Sequence, residues 1–271
     1  ESMLDMFKRY ELDKEDWKKI KKRCDEKKIL FLSTPQNKTD LDLLLNLKIT
    51  AIKVGSDDLT NLPLIKEYSS TGLPLFLSCG MADLSEISTS LNTIGSFDGY
   101  PTVLLHTTSQ YPTPEKDVNL LKLKTLQNIF PNIPLGFSDH TQGSLASSLA
   151  ISFGAVVFEK HFTLDNNLSG PDHWFSENPL GLKQWCKNIK KSHAMLGNSL
   201  LKPTNTEIEN KNEFRRFIVA IRDIQKNEVF SRKNIGMRRT SQKNSLPPLF
   251  FEFLLGRKSV KEFSKGKSIQ L

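Results

Sequence analysis

Leu135-Gly136-Phe137-Ser138-Asp139-His140-Thr141 is a short apolar run that ends in a cluster of Ser, Asp, His and Thr. About one strand-and-helix unit later the pattern returns as Val156-Val157-Phe158-Glu159-Lys160-His161-Phe162-Thr163. Each reads as a β-rich run that delivers an imidazole at its carboxyl end. In a parallel α/β barrel the carboxyl ends of the strands face the active site. Two neutral imidazoles on neighbouring strand ends form a natural half-shell for a divalent metal. Either histidine alone reads equally well as a hydrogen-bonded structural residue. Their recurrence on consecutive strands favours a site.

Working outward, the same alternation extends along the chain. Residues 29–32 are short and apolar and predict a buried parallel strand. Further strands are predicted at 51–56, 75–80 and 103–108, besides the two quoted above. Helices are predicted between them, at 40–47, 64–70, 84–94, 118–130 and 144–153, with a long one at 180–196. An earlier amphipathic helix over 17–27 has Asp13 as its N-cap. Six strand-then-helix units argue for a parallel sheet. Nearly every strand ends in a polar residue: Thr34, Lys53 with Ser56, Ser78, Thr108 with Ser109, Ser138 with His140, and His161. A doubly wound sheet would gather function at one switch point. Polar ends on every strand suit a closed barrel with one mouth. The expected fold is α/β, a TIM (β/α)8-type barrel over 1–197 that lacks its first two βα units. Residues 198–212, with Pro203, predict a linker, and 213–271 a small domain of short strands and turns.

Composition narrows the function. The 271 residues carry a formal charge of +8 and are 38% hydrophobic. The lysines are dispersed, as in Trp17-Lys18-Lys19-Ile20-Lys21-Lys22-Arg23, which reads as a solvated helix face and not as a nucleic-acid patch. Cys24, Cys79 and Cys186 form no CxxC pair, which fits a reducing, cytoplasmic setting. No run is long and apolar enough to span a bilayer, and no signal-peptide pattern opens the chain. Glu1-Ser2-Met3 reads as the middle of a protein.

Lys53 lies in a predicted buried strand, where an ammonium is costly unless it meets an anion or a carbonyl. It could form a Schiff base, bind phosphate or complete an ion pair. Thr34, Ser56, Ser78 and Ser138 each read singly as helix N-caps. Converging with a lysine on one mouth, they are what a phosphoryl group needs. Gly170-Pro171-Asp172-His173 is a rigid turn that could offer Asp172 to a sugar hydroxyl, or serve only as a turn capping the last helix. Tyr111-Pro112-Thr113-Pro114 places Tyr111 beside the Thr108-Ser109 strand end, or is only a proline-rich connector.

Taken together these stretches resemble the sialic acid synthases, the family of N-acetylneuraminate synthase and its legionaminate and pseudaminate relatives. The resemblance is carried by Lys53-Val54-Gly55-Ser56, Leu77-Ser78-Cys79-Gly80-Met81, the run from Leu105 through Pro114, Gly136-Phe137-Ser138-Asp139-His140-Thr141, Glu159-Lys160-His161-Phe162-Thr163 and Gly170-Pro171-Asp172-His173. It implies condensation of phosphoenolpyruvate with an N-acetylated hexose, such as N-acetylmannosamine. It implies a divalent metal held by His140 and His161, Mn first, with Mg or Co as alternatives. Thr34, Lys53, Ser56, Ser78, Ser109 and Ser138 would hold phosphoenolpyruvate; Asp58, Tyr111, Asp172 and Arg239 would hold the sugar. The family has Glu where Asp58 stands, and some members have Asn at Ser109. The C-terminal domain resembles the family's antifreeze-like (SAF, β-clip) domain, which implies a domain-swapped homodimer. Two readings compete: a Schiff-base aldolase using Lys53, and a non-catalytic remnant that binds only sugar phosphate or a partner chain.

Overall fold

The computed structural model describes residues 2–240, 242 and 244–270, apart from the side chain of Asn212. Five short runs are rich in Ile, Val, Leu and Phe, and the first four of them are mostly buried. They form one parallel sheet of β1 (Ile52–Val54), β2 (Leu75–Ser78), β3 (Thr102–His106), β4 (Leu135–Asp139) and β5 (Ala155–Lys160), in that spatial order. Every crossover is helical, as parallel pairing requires. In chain order the helices of this unit are α1 (Met3–Tyr10), α2 (Lys14–Lys27), α3 (Lys38–Asn46), α4 (Leu62–Ser69), α5 (Leu84–Ile94), α6 (Leu121–Ile129), α7 (Leu145–Ser152) and α8 (Pro179–Leu196).

Local chemistry sets the helix limits. Asp13 caps α2 by accepting from the Asp16 amide, as the sequence predicts. Asp83 and Glu86 close a capping box on α5, and Gly95 ends it in the left-handed region. The core lies between the sheet and the helices, with Ile52, Leu75, Leu77 and Leu104 fully buried. Each such side chain contributes on the order of 1.5–3 kcal/mol relative to exposure. Gly136 is required in β4: a Cβ there would stand 2.7 Å from Leu105 Cδ2 and 2.9 Å from the Val157 carbonyl. The β4–β5 register shifts at this point.

Several sequence expectations change. Residues 29–32 do not form a buried strand; only Ser33 bridges to Ile52, and Ile29 and Leu30 are exposed. An apolar run becomes a buried strand only where it is covered; here Phe31 packs against Trp17 and the core, while Ile29, Leu30 and Leu32 stay exposed. The helix expected at 118–130 begins at Leu121, after a 3-10 turn at Glu115–Asp117. Asn178, not Asp172, caps α8. The sheet therefore has five strands and one bridge where six strands were expected, and the described residues do not close it into a barrel.

The chain divides into two compact units, Glu1–Gly197 and Asn198–Leu271. The expected linker contains part of a helix, α9 (Asn205–Phe214), opened by a Thr204/Glu207 capping box. After it, β6 (Arg216–Ala220) and β7 (Ile235–Arg239) form an antiparallel ribbon. Residues 224–229 contribute only isolated bridges, Ile224 to Phe263 and Val229 to Lys258. Ile218, Ala220, Ile224 and Ile269 pack with α10 (Phe251–Leu254) into a separate small core.

Candidate active site

The carboxyl ends of β1 to β5 surround a cavity of about 500 Å³. Lys53, Ser56, Ser78, Ser109, Tyr111, Ser138, His140 and His161 all line it, eight residues brought together from five strand ends. Glu159 and Asp57 line it as well and were not singled out from the sequence. Glu159 was detectable in principle: strand alternation puts it on the same face as His161. None of the hydroxyls Thr34, Ser56, Ser78 and Ser138 caps a helix, so the capping reading fails for all four. Thr34 lies outside the cavity, one residue past the Ser33 bridge, because the strand that would have aimed it did not form. Asp58 also lies outside; it accepts a hydrogen bond from Asn61 in the turn before α4, and its neighbour Asp57 faces the cavity instead. Arg239 belongs to the second unit, where it stands opposite Arg216 on the β6–β7 ribbon.

One end of the cavity gathers the Lys53 ammonium and the hydroxyls of Ser56, Ser78, Ser109 and Ser138. The Lys53 ammonium donates to Ser78 Oγ (2.8 Å) and to the Val54 carbonyl (3.0 Å), with Glu159 Oε2 3.7 Å away. Burial pushes its pKa below the ordinary lysine value, and the Glu159 charge opposes that shift. Ser138 donates to Glu159 Oε1 (2.6 Å). Ser56 Oγ accepts from the Gly80 amide (3.1 Å). Ser109 Oγ is buried with no hydrogen-bond partner. It lies over Gly80, where a Cβ would come within 2.4 Å of it and 2.7 Å of Ser56 Oγ. An orphaned buried hydroxyl is costly, and among the described residues this one has no partner, which leaves it able to donate to a ligand oxygen.

The other end carries the imidazoles. The His140 and His161 ring centroids are 5.2 Å apart in an edge-on arrangement. His140 Nδ1 lies 2.8 Å from the Thr108 carbonyl, an acceptor, so this nitrogen carries the proton and Nε2 presents its lone pair. That is the arrangement in which a metal-binding imidazole is usually fixed. His161 Nδ1 lies 3.5 Å from Asp172 Oδ2, which brings Asp172 to the edge of the site. Desolvation lowers the pKa of both rings, keeping them neutral as ligands must be. Tyr111 packs over His140 at 4.2 Å, and Phe175 lies 5.1 Å from His161, forming an aromatic wall. Among the described residues no set of three His, Cys, Asp or Glu side chains converges to hold a metal. The two neutral imidazoles fit a metal as a partial shell, with the remaining positions open to water or substrate.

A larger groove of about 640 Å³ is lined by Leu121, Leu145, Leu149 and the Pro112–Pro114 turn. It is mainly apolar, with Glu115 as the one ionisable group in its lining, whereas the smaller cavity gathers a lysine, two histidines, two carboxylates and four serines.

The fold and site define a class: an α/β protein with a parallel sheet whose strand ends share one polar pocket. The chain belongs to the NeuB family, whose profile matches residues 1–200. It is 36% identical to the N,N'-diacetyllegionaminic acid synthase of Campylobacter jejuni, over 100% of this chain and 80% of that protein. It is 34% identical to the Legionella pneumophila enzyme of the same name, over 98% of this chain and 75% of that one. Among solved structures it is similar to the N-acetylneuraminic acid synthetase of Leptospira borgpetersenii in complex with citrate, with a TM-score of 0.71 and 33% identity. That match covers 78% of this chain and 74% of the other.

Proposed function

We propose that the cavity condenses phosphoenolpyruvate with the aldehyde of an N-acetylated hexose, N-acetylmannosamine or a dideoxy relative. A carbon–carbon bond forms, water adds, and a nonulosonic acid and phosphate are released. The observation that carries the reading is the orphaned Ser109 hydroxyl at the Gly80 cradle, beside Lys53 and the hydroxyls of Ser56, Ser78 and Ser138. Such a set offers several donors and one cation to a phosphate and a carboxylate. The names of the relatives support the product class.

Lys53 balances the anionic charge and orients it through Ser78. Ser109, Ser56 and Ser138 complete the donor set around the ligand oxygens. Glu159 stands between the two ends and is the group we assign to hold a proton during the condensation. Tyr111 and Asp172 flank the imidazoles and hold the sugar. A divalent metal bound by His140 and His161, Mn first and Mg or Co as alternatives, would polarise the sugar aldehyde. The proposal includes the homodimer that the resemblance implies, with Arg239 as a sugar contact. Residues 198–271 suit anionic ligands, since they hold 16 Lys and Arg against 7 Asp and Glu, whereas residues 1–197 hold 22 against 23.

The test separates the two ends. Replacing both His140 and His161 with Ala should abolish metal uptake in elemental analysis while phosphoenolpyruvate binding persists in calorimetry. Lys53→Gln should do the reverse. Undiminished metal stoichiometry in the double variant, or an imine trapped by borohydride with pyruvate at Lys53, would overturn the assignment.

A further inference from the structure

Behind the cavity wall lies a buried ion pair that the chemistry above does not use. Asp139 Oδ2 and Lys160 Nζ are 3.2 Å apart, with side-chain exposures of 0% and 2%. Asp139 precedes His140 in the chain, and Lys160 precedes His161. Asp139 and Lys160 are also register partners across the parallel β4–β5 pair. The register ends in two successive rungs, and the chain then continues on each side to a histidine. Ser138 and Glu159 face the cavity and bond to each other. Asp139 and Lys160 face away, and His140 and His161 face the cavity again.

The pair is held from every side. Asp139 Oδ1 accepts from the Thr141 amide (2.9 Å) and from Thr141 Oγ1 (2.7 Å). Its Oδ2 accepts from Ser147 Oγ on α7 (2.5 Å), and Ser147 Oγ in turn accepts from Trp185 Nε1 on α8 (3.1 Å). Lys160 Nζ also donates to the Thr141 carbonyl. The chain segments on both sides of His140 are thereby tied to the residue preceding His161 and to two helices. A buried pair is a weak source of net stability, because desolvation offsets its attraction. Its best-attested use is to specify one arrangement among several.

We propose that Asp139 and Lys160 are positioning residues that set the separation and aim of the His140 and His161 imidazoles. The pair acts through the backbone, one residue upstream of each ring, and touches neither ligand. This inference rests on the proposal that the two histidines hold a divalent metal.

The experiment uses the full chain and Mn²⁺ calorimetry, with Co²⁺ absorption as a probe of coordination geometry. Removing one charge would strand the other, so the informative variant is Asp139→Leu combined with Lys160→Met, which leaves no buried charge unpaired. Its melting temperature should fall, because the Thr141 amide and hydroxyl and the Ser147 hydroxyl lose their acceptor, while the chain still folds. Mn²⁺ affinity should fall 10- to 100-fold, the usual cost of losing groups that orient metal ligands, and the Co²⁺ band should shift. Phosphoenolpyruvate binding in the presence of a chelator should be unchanged. Should the double variant fail to fold, Ser147→Ala decides, because it removes one bond to Asp139 and leaves both charges in place. Weaker Mn²⁺ binding by Ser147→Ala then supports the inference, and unchanged binding overturns it. A folded double variant with parental Mn²⁺ affinity and Co²⁺ spectrum overturns the positioning role alone. A parent chain that binds no divalent metal overturns the metal assignment and this inference together.

Discussion

Gly80→Ala is the sharpest single perturbation of the anion end. The new Cβ would stand 2.4 Å from Ser109 Oγ, 2.7 Å from Ser56 Oγ and 3.0 Å from Thr107 Cγ2. Two of these three atoms are hydroxyl tips, so the fold accommodates the methyl by rotating Ser109 and Ser56 away. The stability cost should be at the low end of overpacking, about 1 kcal/mol. Binding loses more, because both hydroxyls leave the positions in which they serve the ligand. Hydrogen bonds to charged groups are worth roughly 1.5–3 kcal/mol each. Losing two therefore predicts an affinity for phosphoenolpyruvate roughly 10²- to 10⁴-fold weaker, at about 1.4 kcal/mol per factor of ten. The assay is calorimetric titration of the folded variant, with a thermal melt alongside. A melt within a few degrees of the parent and a Kd within twofold would refute the cradle argument, since the methyl would then occupy space no ligand needs.

Other outcomes follow from the same structure. Leu77→Ala, at a fully buried position in β2, should cost about 2–5 kcal/mol in denaturant unfolding. A loss below about 1 kcal/mol would mean the sheet repacks around the void. Burial raises the Cys79 thiol pKa to about 11, and Cys186 is exposed. A thiol reagent at pH 8 should therefore modify Cys186 and leave Cys79 untouched until the chain unfolds; equal rates would contradict the burial. In the second unit, bonds from Arg222, the Gln225 amide and Asn234 hold the Glu228 carboxyl at about 2. A depressed acid stabilises the fold above its unfolded value near 4.5, and that contribution disappears as pH falls from there toward 2. Melts of the parent and of Glu228→Gln should therefore diverge near neutrality and converge at low pH. Parallel curves would remove Glu228 from the acid response.

The strand series and the residues at its ends were legible because both signals are local. Apolar runs of four to six residues between amphipathic stretches are consistent with buried parallel strands, and five of the six such runs form the sheet. The polar residues closing the runs mark the mouth, and seven of them, Lys53, Ser56, Ser78, Ser109, Ser138, His140 and His161, do line one cavity. Other features are decided by the tertiary structure alone. Residues 29–32 have the composition of a core strand, but burial is a property of what packs against a segment, and here Ile29 and Leu30 are exposed. Asp57 and Asp58 are chemically equivalent neighbours, and only the turn after β1 determines that Asp57 faces the cavity. The helix α9 lay hidden in a polar stretch that composition alone assigns to a linker. Glu159 and the Asp139–Lys160 pair acquire their roles from the β4–β5 register. Sequence spacing sets which face of its own strand a residue occupies; only pairing between strands sets which residue it meets.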